Sequence, residues 1–207
     1  GFIRPPKRPG SAAALAAIIL QSSQNDMHGG QSFAYFDRDM APYVNDASEE
    51  ETFQAMEALI YNLNSMHSRA GAQVPFSSLN LGIETDENAR KITRNVLLAY
   101  EKGLGHGENP IFPNIIFRVK EGINLNPGDP NYDLFQLALQ VAAKRLNPTF
   151  SFMDSTFNSP FGTEVGYMGC RTRVMSNCCG PEETDGRGNL SFTTINLPRL
   201  AIRAKGD

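Results

Sequence analysis

Between residues 48 and 153 the chain alternates long helix-period segments with short strand-like runs, and this alternation restricts the fold more than any other feature. Ser48 is followed three residues later by Glu51, the spacing of a capping box. Phe53, Met56, Ile60, Leu63 and His67 then recur at three- and four-residue steps, which predicts a helix over 48–70 with His67 on its apolar face. After Gly71 the period changes, and 74–82 reads as a strand. Residues 86–103 read as a helix, with Asp86 near its positive end and Lys102-Gly103 as its stop. Asn109-Pro110 opens a strand over 111–119, GINLNPGDPN is a turn cluster, 132–146 reads as a helix ended by Pro148, and 149–153 as a strand. Upstream, 11–24 is rich in helix formers with Ser11 as its expected N-cap, and 25–30 is a loop. Downstream, 190–202 reads as a fourth strand. Strands separated by helices of this length call for parallel βαβ packing, hence an α/β fold. Four strands do not close a barrel, which needs about eight or more, so the expectation is part of a barrel or part of an open sheet.

The 207 residues suffice for one domain with a substantial core, and the apolar and charged fractions, 41% and 20%, are those of a globular protein. A net charge of -3 carries no polybasic signature, which argues against a nucleic-acid polymer or a membrane surface as partner. The apolar run 12–20 is too short to span a bilayer, and the proline-rich opening lacks the order of a secretory signal. Three cysteines at 170, 178 and 179 form no disulfide framework and fit a reducing, cytoplasmic setting. The chain opens at Gly1 without Met and stops soon after a strand that needs neighbours. The expectation is therefore a piece of a larger protein.

The chemistry concentrates in the stretch GYMGCRTRVMSNCCGPEETDGRGNLSFTTINLPRLAIRAK. Cys170 sits between Gly169, which permits close backbone approach, and the charged Arg171 and Arg173. It reads as a buried thiol, as a nucleophile with a depressed pKa, or as a radical-carrying thiol. A thiyl radical takes hydrogen from carbon because S–H and C–H bonds are close in strength, and that reaction needs no thiolate. Of the histidines, His106 sits in a solvated turn, and only His28, before two glycines, is a candidate for a pocket beside Cys170. C-x7-C-C is not a usual metal spacing, so no metal is expected within this segment. Gly186-Arg187-Gly188-Asn189 lacks the residues of a P-loop and reads as a chain return. Asn189 offers donors and acceptors to a hydroxyl-rich ligand. Asn25, Asn80, Asn114 and Asn196 lie in or near strand signals, and in a buried sheet each needs a partner.

PPKRPGSA, QNDMHGGQSFAYFDRDMAPYV, the long run from FSSLNLGIETDENARKITRNV through AAKRLNPTFSFMD, and finally MGCRTRV with GRGNLSFTTINLPRLAI resemble the catalytic subunit of the anaerobic (class III) ribonucleoside-triphosphate reductases. The resemblance covers nearly the whole chain. It implies a ten-stranded α/β barrel of the ribonucleotide reductase and glycyl radical enzyme type, of which 1–207 would be part, with a central finger loop carrying Cys170. It further implies that a glycyl radical elsewhere in the full protein oxidises Cys170. The resulting thiyl takes the 3′ hydrogen of a ribonucleotide, the 2′ hydroxyl leaves as water, and formate or a dithiol protein supplies the reducing equivalents. Asn189 falls at the family's polar position facing the ribose hydroxyls. ATP or dATP as effectors, a zinc site outside this segment, a radical-SAM activating enzyme and a homodimer are also implied. The family's glycyl-radical segment, four-cysteine zinc site, N-terminal ATP cone and second active-site cysteine are not within these residues, and the Cys178-Cys179 pair departs from its pattern. Two alternatives stand beside this: another glycyl radical enzyme with a non-nucleotide substrate, and a non-catalytic nucleotide-binding or dimerisation piece.

Overall fold

A computed structural model describes residues 3–161, 165–169, 172–175, 177, 179–181 and 183–205; Cys170, Arg171 and Cys178 lie outside the described residues. Four strands, β1 (Gln31–Phe33), β2 (Ser77–Leu81), β3 (Asn114–Val119) and β4 (Thr149–Phe152), form one parallel sheet in chain order. The crossovers run through α2 (Phe36–Met40) with α3 (Glu49–Ser65), then α4 (Glu87–Lys102), then α5 (Tyr132–Arg145), and α1 (Pro9–Asp26) precedes β1. This is the α/β arrangement that the alternation called for.

The helices begin where the sequence offers a cap. Ser48 Oγ accepts from Glu51 N at 3.0 Å, and Asp86 Oδ1 accepts from Asn88 N and Ala89 N at 3.0 and 3.3 Å. Ser11 does not cap α1, which starts earlier at Pro9. It lies in the first turn, where its hydroxyl donates to Arg8 O and accepts from Arg8 N. Helix α3 ends at Ser65, so His67 is an exposed residue beyond it and not part of an apolar face.

The sheet is two-sided. Side chains alternate along a strand, and Leu79, Leu81, Ile115, Phe117 and Val119 enter a core shared with α1, α3, α4 and α5. The alternate positions are Ser32 on β1, Ser78 and Asn80 on β2, Asn114, the apolar Ile116 and Arg118 on β3, and Ser151 on β4. Pairing sets Ser32, Ser78 and Asn114 in one row across the sheet. A parallel sheet covered by helices on both faces reads apolar throughout; this one is hydroxyl- and amide-lined on its second face. What lies there is an antiparallel hairpin, β5 (Gly166–Met168) with β6 (Thr172–Val174).

The expected strand over 190–202 does not form. Residues 190–196 are irregular, and α6 (Leu197–Ala204) follows. Asn196 caps it by accepting from Arg199 N at 2.9 Å, and Pro198 occupies its first turn, where a missing N–H costs nothing. The apolar alternation read as a strand finds no ladder among the described residues, and local capping decides the outcome. Leu190, Phe192, Ile195, Leu197, Leu200 and Ile202 are exposed.

Candidate active site

Hydrogen bonds from sheet side chains hold the hairpin across the polar face. Asn80, fully buried, accepts from Tyr167 N through Oδ1 at 2.9 Å and donates through Nδ2 to Tyr167 O at 2.9 Å. The same amide nitrogen lies 3.0 Å from Ser32 Oγ and 2.9 Å from Phe33 O, so its two hydrogens are shared among three acceptors. Ser32 Oγ donates to Tyr167 O at 2.7 Å. Ser78 Oγ accepts from Gly169 N at 3.1 Å, and Asn114 Nδ2 donates to Gly169 O at 3.2 Å. On the last strand, Ser151 Oγ donates to the Tyr167 hydroxyl at 2.7 Å. The residue before Cys170 in sequence is thereby attached to β2 and β3.

The hairpin also meets the loop after α1. Gly169 has φ +50°, and its backbone crosses that of Gly30. A Cβ built on Gly30 would lie 2.3 Å from Gly169 Cα, and one built on Gly169 would lie 2.8 Å from Gly30 Cα. Two residues upstream, His28 N donates to Asn189 O at 3.2 Å. The Asn189 amide approaches Gly29, where a Cβ would stand 3.0 Å from Nδ2. A cleft of about 190 Å³ opens between them, lined by Met27, Gly30, Ser32, Met168, Gly188 and Asn189 among others.

Of the three residues nominated from sequence, Asn189 lines this cleft and His28 is joined to it only through its backbone N–H; Gly169, the residue before Cys170, adjoins the cleft through Gly30. The His28 ring is exposed and sits edge-on to Phe192 at 5.1 Å. Arg173 is turned to the hairpin's flank, where it donates to Phe157 O at 3.1 Å and Asn158 Oδ1 at 2.8 Å. His106 is exposed, and Cys179 is exposed with its N–H on Asn177 Oδ1. Among the described residues no three His, Cys, Asp or Glu side chains gather as a metal set, and no helix is long and apolar enough to cross a membrane.

A cluster of charged residues, Arg118 and Asp37 buried and Arg38 exposed, borders the polar face. The Arg118 guanidinium lies 4.6 Å from the Tyr35 ring centroid, and Arg38 lies 3.7 Å from the same ring. Arg118 is fully buried, and its three side-chain nitrogens have no hydrogen-bond partner among the described residues. Asp37, also fully buried, accepts from Arg38 N, Gly82 N and Thr93 Oγ1. Burial pushes the Asp37 carboxyl above its ordinary value, against the opposing charge of Arg118 and these hydrogen bonds.

Sequence reasoning weighed Asn80 and Asn114 only as residues in need of partners, and it passed over Ser32, Ser78, Ser151, Tyr167 and Arg118. The signal was present in SSLNL, where polar residues alternate with leucines in a strand that pairs on both edges. Of the other asparagines singled out, Asn25 bonds within its own helix and Asn196 caps α6.

Comparison with known proteins shows the family and the fold. Residues 1–207 match the sequence profile of the family described as anaerobic ribonucleoside-triphosphate reductase. The enzyme of that name from Haemophilus influenzae is 33% identical over 99% of this chain and 32% of its own length. That of Enterobacteria phage T4 is 36% identical over 97% of this chain and 37% of its own. The chain thus spans about a third of the length of the curated relatives it matches. The crystal structure of the anaerobic ribonucleotide reductase from Thermotoga maritima in complex with dATP and CTP superposes with a TM-score of 0.56 at 15% identity, covering 99% of this chain and 37% of that one.

Proposed function

Because the chain belongs to the anaerobic ribonucleoside-triphosphate reductase family, we propose that it is part of the catalytic barrel of such an enzyme, which reduces ribonucleoside triphosphates to deoxyribonucleoside triphosphates for DNA synthesis. The observation that carries this reading is the Gly30–Gly169 crossing, which sets the residue before Cys170 against the loop that bounds the Asn189 cleft. In the proposed whole protein, residues 1–207 contribute four strands and the finger of a ten-stranded barrel. A glycyl radical outside this segment supplies the oxidising equivalent.

The residues here do the rest. Cys170, as a thiyl, takes the hydrogen atom at C3′ and becomes a thiol, leaving a carbon radical on the ribose. The 2′ hydroxyl departs as water once protonated. Two electrons and a proton from formate or a dithiol protein reduce the ribose, and Cys170 returns its hydrogen atom to C3′ and is a thiyl again. Asn189 holds the ribose hydroxyls, with His28, bonded to it through the backbone, as a further residue on the ribose side. The hairpin and sheet keep water from the radical, whose chemistry the thiol carries and the protein only positions. An activating radical-SAM enzyme, nucleotide effectors such as ATP or dATP, a zinc site outside this segment, a homodimeric assembly and a cytoplasmic setting complete the proposal. The Thermotoga maritima structure with dATP and CTP supports the nucleotide part by analogy.

The test is Cys170→Ser in the whole protein. Turnover is expected to vanish while the glycyl radical still forms, as read by electron paramagnetic resonance. Substantial deoxynucleotide production by that variant would refute the thiyl assignment.

A further inference from the structure

We propose that Asn80, assisted by Ser78, is a positioning residue for the Cys170 thiol. The inference rests on the thiyl reading above and adds to it the part of the sheet that aims the thiol.

Asn80 acts as a substitute peptide group. In an antiparallel ladder a hydrogen-bonded residue pair exchanges both its N–H···O bonds. The Asn80 carboxamide makes the same exchange with Tyr167, taking its N–H and giving to its carbonyl, both at 2.9 Å. Strand β2 is already paired through its backbone to β1 and β3, so it has no ladder left to offer. The hairpin lies across the face of the sheet, and a side chain supplies what the backbone cannot. Among the described residues side chains, and no backbone pairs, tie β5 to the sheet.

The atoms held belong to the hairpin residues that come just before Cys170 in sequence. Tyr167 and Gly169 are three and one residues before Cys170. Their amides and carbonyls are taken by Asn80, Ser78, Ser32 and Asn114, which project from three neighbouring strands. Strands of a packed sheet are rigid, so an anchor on them fixes position better than a loop does. Asparagine suits the task because its amide carries donor and acceptor at the reach required. Aspartate keeps the shape and loses the donors, placing an anion against three acceptor oxygens. Burying these polar groups in a parallel sheet is costly unless each is satisfied, and the hairpin backbone satisfies them.

The experiment compares Asn80→Asp and Ser78→Ala with wild type in the whole reductase subunit, using nucleotide substrate with hydrogen or deuterium at C3′. Misplacement of the reacting atom by about 1 Å costs about 100-fold. The expected result for Asn80→Asp is a kcat lower by about that factor, with KM and nucleotide affinity unchanged and a larger deuterium effect, because hydrogen transfer has become slower than release. Ser78→Ala, which frees the Gly169 N–H and removes a longer 3.5 Å bond to Tyr167 O, is small enough to fold if Asn80→Asp does not, and is expected to show the same pattern at smaller size. Wild-type kcat in a folded variant, or a loss equal to the unfolded fraction seen by circular dichroism, overturns the proposal. Cys170→Ser is run beside them. If it turns over, the thiyl reading and this inference both fall; if it is dead while Asn80→Asp and Ser78→Ala are fully active, only the positioning role falls.

Discussion

Gly30 and Gly169 cross with no room for a side chain on either: a Cβ on Gly30 would stand 2.3 Å from Gly169 Cα and 2.9 Å from the Phe76 ring. The first obstacle is backbone and cannot rotate away. Gly30→Ala is therefore expected to lift the hairpin from the loop, with a stability loss of about 1–3 kcal/mol and an activity loss larger than that instability explains. Thermal unfolding and turnover of the variant check this; wild-type values for both would show that the crossing relaxes freely.

Asn189 faces a cleft and not a core. Its carbonyl receives His28 N, but its side chain is half-exposed beside Gly29. Asn189→Ala is expected to leave the unfolding midpoint within about 0.5 kcal/mol of wild type and to weaken catalysis at least tenfold. Unchanged kinetics would remove its assigned contact with the ribose.

Arg118 and Asp37 are both fully buried and oppose one another in charge. Arg118→Met leaves the Asp37 carboxylate without that compensation, at an expected cost of about 3 kcal/mol at pH 7. The pH dependence has a definite sign. Asp37 is held above its ordinary value by burial, and loss of Arg118 raises it further. The folded state then takes up a proton before the unfolded chain does, so stability is regained as pH falls through the raised value. Urea unfolding at pH 7 and pH 5 should show the deficit narrowing at the lower pH; a constant deficit would contradict it.

Asp133 behaves oppositely. Burial pushes its carboxyl up, but the hydrogen bond and charge of Arg90, with the Leu134 N–H and the charge of Arg94, hold it below its ordinary value. Such a group contributes stability above its unfolded pKa and loses it as pH falls through the folded one. The carboxylate is half-exposed, and its pair with Arg90 at 3.0 Å bridges α4 and α5. Asp133→Asn should therefore cost under about 1 kcal/mol at pH 7, with the difference shrinking below about pH 4. Paired urea titrations at pH 7 and pH 3 measure it.

Helices α1, α3, α4 and α5 and the strands β2 to β4 were legible through local signals: a cap at Ser48 or Asp86, a stop at Gly103, a change of period after Gly71. Strand β1 was not, since three residues, Gln31–Phe33, are too few to show a period. The segment 190–202 misled because its alternation is a strand pattern, while Asn196 and Pro198 are a helix start, and with no neighbouring strand the local signal prevails. Of the candidate site, Asn189 was nominated through resemblance and His28 from its place before two glycines. Its supports, Ser78 and Asn80, were hidden because a residue's partner across 87 positions of chain, as for Asn80 and Tyr167, leaves no trace in local spacing.

The two-sided sheet divides the burden of inheritance. On the helix side, Leu79, Ile115 and Phe117 answer only to volume, and neighbours can trade methyl groups as the chain diverges. On the hairpin side the amides and hydroxyls of Ser32, Ser78, Asn80 and Asn114 answer to particular atoms of Tyr167 and Gly169 and have no near equivalent. Divergence in these strands is thus expected to come in steps of two, tolerant and intolerant positions alternating along the same few residues.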